Sequence, residues 1–163
     1  GALRLLQGAL DLRRTAVGNE HPLVVQAINL LALDMQRKGQ LEGALARYSE
    51  ALKIAQVVAD KTPEEEPAVA VVLNNMGVLC NKMGQLRRAQ ESHERALDIR
   101  VRLRGLHLDT AESVYNLASV YAHSGDKKSA RLLFLRAGEL TASLRGADDA
   151  DALDALAKAD KCS

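Results

Sequence analysis

The chain has 163 residues, of which 47% are hydrophobic and 26% charged, the profile of a folded domain rather than a disordered segment. Its 22 Lys and Arg against 21 Asp and Glu leave a formal net charge of +1, without the basic excess of a dedicated nucleic-acid binder. No apolar run approaches the roughly 18 to 20 residues of a membrane span. Aromatics are scarce (Tyr48, Tyr115, Tyr121, Phe134, no Trp), whereas Ala and Leu recur throughout, which favours packed helices over an all-β fold. The two cysteines, Cys80 and Cys162, are too far apart for a zinc motif and too few for a disulfide framework, so a reducing, cytoplasmic compartment is expected.

In chain order, the apolar period predicts helices over roughly 2–17, 22–38, 41–59, 67–83, 86–104, 110–124 and 127–145, with a short Asp/Ala-rich helix in 147–163. Within 22–38 the i, i+3, i+4, i+7 set is Ile28, Leu31, Ala32 and Met35. Pro22 and Pro67 suit a first helical turn, where the missing N–H costs nothing. Asp109 followed by Glu112 reads as a capping box. Gly18, Gly39, Gly84, Gly105, Gly125 and Gly146 sit where left-handed C-caps are expected. The run Asp60–Pro67, with Glu64–Glu66, reads as a solvated loop in the longest linker. Arg100, Arg102 and Arg104 fall late in their helix, where positive charge complements the helix dipole.

The helices repeat in pairs. Seven residues before Gly39, Gly84 and Gly125 stand Ala32, Gly77 and Ala118. Five after stand Ala44, Ala89 and Ala130, nine after Tyr48, His93 and Phe134, and twelve after Ala51, Ala96 and Ala137. Ala2, Leu6 and Ala9 match Ala44, Tyr48 and Ala51. This gives a partial repeat over 1–21, repeats over about 22–66, 67–108 and 109–146 within an array spanning 1–145, and a capping helix and tail over 147–163. The first helix of each pair is helix A and the second helix B.

The order small residue, glycine turn, Ala, aromatic, Ala resembles the tetratricopeptide repeat. Val17-Gly18-Asn19-Glu20-His21-Pro22 followed by Ile28-Asn29-Leu30-Leu31-Ala32 is similar to its kinesin light chain type, as are Leu73-Asn74-Asn75-Met76-Gly77 and Tyr115-Asn116-Leu117-Ala118. The third linker lacks the proline. The resemblance implies an all-α fold, a right-handed α-α superhelix of antiparallel helix pairs, with helix A residues lining a concave groove that binds a peptide or partner protein.

The helix A stripe opposite Ile28, Leu31 and Met35 is the expected binding face: Gln26, Asn29, Leu33 and Arg37, then Asn74, Asn75, Val78 and Lys82, then Tyr115, Asn116, Ser119 and His123. Asn is a poor residue in a helix interior. The amides of Asn29, Asn74, Asn75 and Asn116 either hydrogen-bond an extended peptide or tie adjacent repeats together. Arg37, Lys82 and His123 share one place at the groove rim, as solvated charges or as partners of an acidic ligand. His123-Ser124-Gly125-Asp126 lies in a helix turn and reads as turn chemistry rather than a reactive cluster. His93 takes the aromatic slot and Cys80 a core slot. No catalytic, cofactor or metal motif is present, so the expectation is a non-enzymatic adaptor with a protein partner, no nucleic acid and no membrane. The other reading is a regulatory or oligomerising segment of a larger signalling protein, such as a multidomain ATPase. The first helix, with Leu3, Leu6, Leu10 and Val17, lacks a helix A of its own; either repeats precede it or the fragment associates end to end.

Overall fold

The computed structural model describes residues Gly1–Ser163 as eight α-helices, one 3-10 turn and no strand. Two compact units divide at Leu79/Cys80. The first holds α1 (Ala2–Val17), α2 (Pro22–Arg37), α3 (Leu41–Lys61), the turn Pro63–Glu65 and most of α4 (Glu66–Lys82). The second holds α5 (Leu86–Arg104), α6 (Leu108–Ser124), α7 (Lys127–Arg145) and α8 (Ala150–Lys161).

In the first unit α2 packs against both α1 and α3. Leu10, Val24, Ile28, Ala32, Ala44, Tyr48 and Ala51 have no exposed surface, so the small residues of the repeat lie at the helix crossing and the aromatic slot fills the core. Burial pushes the Tyr48 phenol up to about 12, and its hydroxyl donates to Gln36 Oε1 at 3.2 Å. In the second unit α6 packs on α5 and α7, and α8 on α7. Its core joins Ala118, Ala130, Phe134 and Ala159, with Tyr115, Tyr121 and Leu133 against them. Phe134 meets Tyr115 edge to face, with centroids 5.3 Å apart. Each large side chain so buried contributes about 1.5–3 kcal/mol.

Helix ends follow local chemistry, with three departures from expectation. At the A-to-B turns, Gly39 and Gly84 donate to the carbonyls three residues back. The residues after them donate five back, Gln40 to Met35 and Gln85 to Cys80, the paired bonds of a Schellman cap. The B-to-A glycines differ. Gly105 has φ 58° and ψ −127°, outside the left-handed helical well and open only to a residue without Cβ; it turns the chain rather than closing a Schellman loop. Secondly, α6 starts at Leu108, and its cap is His107, whose Nδ1 accepts from the Asp109 N–H at 3.2 Å. Asp109 is therefore not the capping-box residue; it pairs with Arg104 at 2.9 Å. His21 caps α2 identically, accepting from the Leu23 N–H at 3.1 Å with Pro22 at the first helical position. Thirdly, Glu64–Glu66 is not a loop: Pro63–Glu65 forms the 3-10 turn and Glu66 opens α4.

Arg100 is also differently placed. It is only 8% exposed, and its Nη1 donates to the Asp109 carbonyl at 2.7 Å and Ser113 Oγ at 2.8 Å. It joins α5 to the start of α6 rather than complementing a helix dipole from solvent.

Candidate functional site

In the first unit the expected binding stripe has an exposed edge and a polar seam. Gln26 and Arg37 are exposed, Val78 is partly so, and Leu33 is half-buried. Asn75 Nδ2 donates to Asn29 Oδ1 at 3.0 Å, linking α4 to α2. That bond uses an acceptor of Asn29 and a donor of Asn75 and leaves each amide's other atom for further bonding. Asn74 is 3% exposed, so its amide does not face solvent in this conformation.

In the second unit the stripe borders a cleft of about 440 Å³ between α6 and α8, floored by α7. Tyr115 and Asn116 line it with Leu108, Asp109 and Glu112 of α6, Thr141 and Arg145 of α7, and Asp151 and Asp154 of α8. The four carboxylates each have a cationic partner: Arg104 for Asp109, Arg100 for Glu112, Arg145 for Asp151 at 3.0 Å and Lys158 for Asp154. Tyr115 is fixed from α8: its hydroxyl donates to Asp154 Oδ2 and accepts from Lys158 Nζ, which also stands 4.7 Å from its ring centroid. The hydrogen bonds from Tyr115 and Lys158 hold the Asp154 carboxyl below the usual range. Burial, followed by the Asp154 contact, raises the Tyr115 phenol.

The remaining stripe residues lie elsewhere. Lys82 is exposed, Ser119 Oγ donates to the Tyr115 carbonyl at 3.1 Å, and His123 Nδ1 lies 2.9 Å from Asn81 Oδ1. The other members of the His123–Asp126 turn are structural. Ser124 Oγ donates to the Tyr121 carbonyl, Gly125 closes α6 in the left-handed region, and Asp126 accepts from the Ser129 N–H at the start of α7. No group of three or more His, Cys, Asp or Glu is arranged to hold a metal ion.

Arg145, Asp151 and Asp154 line the cleft beside Asp109 and Glu112 and are not among the site residues expected from the sequence. The acidic composition of the last helix is their one local signal; that α8 folds back over α7 beside Tyr115 is a tertiary fact.

A family model described as the tetratricopeptide repeat matches residues 1–56 and 68–143. The gap between the two matches falls on the lengthened linker around Asp60–Pro67. Among solved structures, a Podosopora anserina protein described as a kinesin light chain with nearly identical TPR-like repeats is 22% identical. The match covers 99% of this chain and 77% of that one, with a TM-score of 0.80. The protein BtubC (BKLC) from P. vanneervenii is 25% identical over 99% of this chain and 70% of that one, with a TM-score of 0.77. A search of curated protein sequences gives no match.

Proposed function

The chain belongs to the tetratricopeptide repeat family, whose repeats mediate protein–protein interaction, and from that premise we propose that it is an adaptor or scaffold module that binds a peptide segment of a partner on its A-helix face. The observation that carries this reading is the cleft in the second unit. It places an aromatic ring, an amide and ion-paired side chains around a space of about 440 Å³, a concave, largely polar surface whose hydrogen-bonding groups can orient a bound segment. Gln26, Asn29, Leu33, Arg37, Asn75, Val78 and Lys82 are the further contact residues proposed for the same kind of ligand. Asn74, buried, supports the face from behind. No helix is long and apolar enough to cross a membrane, and the proposed setting is cytoplasmic, without cofactor or nucleic acid.

Site-specific photo-crosslinking tests the reading. A crosslinker at Glu112, which is exposed and lines the cleft, is compared with one at Glu139, exposed on α7 outside it. Capture of one partner segment from Glu112 and not from Glu139 is expected. Capture from Glu139 alone would move binding to another face.

A further inference from the structure

The second unit separates its charges by edge. Where a helix B runs into the next helix A, cations meet acids: Arg100 pairs with Glu112, Arg104 with Asp109, and Arg145 with Asp149 and Asp151. The opposite edge, made by the α4–α5 and α6–α7 turns, is cationic. Residues 82–88 include Lys82, Arg87 and Arg88 and no acidic residue. Residues 123–128 include His123, Lys127 and Lys128, with Asp126 the one acid among them. All of these side chains are exposed. Asp126 is engaged in capping α7, where it accepts from the Ser129 N–H at 3.0 Å. None of Lys82, Arg87, Lys127 and Lys128 forms an ion pair.

Two hydrogen bonds hold the turns side by side. His123 Nδ1 lies 2.9 Å from Asn81 Oδ1, which joins the ends of α6 and α4. Gln90 Nε2 donates to the Tyr121 hydroxyl at 3.1 Å, which joins the start of α5 to the end of α6. The cations of both turns therefore share one surface. Their placement also runs against local preference. Arg87 and Arg88 lie in the first turn of α5, and Lys127 and Lys128 open α7; neither turn has an acidic residue, and positive charge there opposes the helix dipole. In the first unit α3 follows the preference. Glu42 lies in its first turn, and Lys38 in the turn before it pairs with Asp34 at 2.6 Å. The second unit thus gathers positive charge at this edge at a cost to its own helices, which a bound anionic partner relieves.

We propose that this edge docks a carboxylate-rich segment of a partner protein. The two guanidinium forks match carboxylates in plane and spacing, and the two ammonium groups of α7 extend the same field across the second turn. Within 82–88 and 123–128 no large apolar side chain is exposed to enter a bilayer, Met83 and Leu86 being half-buried, and no aromatic ring is present on which a base could stack. None of these residues lines the Tyr115 cleft, so the inference stands whether or not that cleft holds a peptide.

Fluorescence anisotropy of a labelled peptide of alternating Glu and Ser, titrated with the whole 163-residue chain, tests this. Saturable binding is expected at about 50 mM salt, and at least about tenfold weaker binding at about 500 mM, where exposed charges are screened. Arg87→Glu with Lys128→Glu should weaken binding about tenfold or more. Helicity should stay unchanged and the melting temperature should not fall, because both side chains are exposed and the reversal suits the helix dipole. Arg4→Glu with Lys53→Glu makes the same change of net charge at exposed cations of the first unit and should leave affinity within about twofold. Absence of peptide binding, equal losses in the two variant pairs, or tighter binding to phosphatidylserine–phosphatidylcholine vesicles or to a single-stranded oligonucleotide would overturn the proposal.

Discussion

Gly8, Gly43 and Gly138 lie inside helices, and the same change to alanine at each has a different expected outcome. Helix propensity alone favours Ala by about 1 kcal/mol. At Gly8 in α1 an added Cβ meets nothing within 4 Å, so Gly8→Ala gains the whole amount. At Gly43 it would lie 2.5 Å from the Met35 terminal methyl, which rotates away on a flexible side chain, so the gain shrinks. At Gly138 it would lie 2.8 Å from Leu156 Cγ, 2.9 Å from Cδ2 and 3.2 Å from the Ala152 carbonyl oxygen. The branch carbon of Leu156 cannot leave without a new χ1 rotamer, and the carbonyl belongs to the α8 backbone, so α8 itself must shift. Overpacking of this kind costs about 1–3 kcal/mol and reverses the sign. Gly8→Ala and Gly138→Ala should therefore differ by about 2 kcal/mol, or about 4–8 °C in melting temperature. Thermal and urea melts followed by circular dichroism read the difference, and hydrogen exchange shows faster opening confined to α8 in Gly138→Ala. Equal stabilisation by the two changes would refute the reasoning, because it would mean that α7 and α8 do not require the missing Cβ.

Other perturbations test the same structure. Ala32→Leu and Ala118→Leu, both at sites without exposed surface, should each lose about 1–3 kcal/mol in urea melts; neutrality at both would place the helix crossing elsewhere. Arg100→Met leaves the Asp109 carbonyl and Ser113 hydroxyl without this donor and should cost about 1–3 kcal/mol, loosening the α5–α6 junction first by hydrogen exchange. Burial, reinforced by Arg100, holds His93 down to about 4, below the 6.5 of an unperturbed imidazole, and its buried Nδ1 has no hydrogen-bond partner. Between those two values the unfolded chain binds the proton and the folded chain does not, so His93 lowers stability as pH falls from 6.5 toward 4. His93→Phe, an aromatic like Tyr48 and Phe134, should flatten that part of the pH profile in urea midpoints; an unchanged slope would count against a buried neutral imidazole.

What the sequence by itself determined was local. Seven helices begin and end within two residues of their expected bounds, because apolar period, proline at a first turn and glycine at a last one act over a few residues. The small residue at a crossing and the aromatic slot were equally legible, since Ala32, Ala44 and Tyr48 recur at fixed offsets from a glycine. The histidine caps were local too, but histidine is an unusual capping residue and Asp109 competed for the role. The tertiary structure decided whatever depends on a distant partner. Nothing near Arg100 in the chain distinguishes it from Arg102 or Arg104; only the return of α6 over α5 supplies its buried carbonyl and hydroxyl. Asn74 and Asn75 are adjacent and alike, yet one turns inward while the other meets Asn29 on a helix 46 residues away. Tyr115 faces a cleft rather than open solvent because α8 docks through Leu156 at Gly138 and brings Asp154 and Lys158 to its hydroxyl. Each of these is a contact between elements, and an intrahelical pattern specifies which face is apolar without specifying which polar side chain from elsewhere will stand against it.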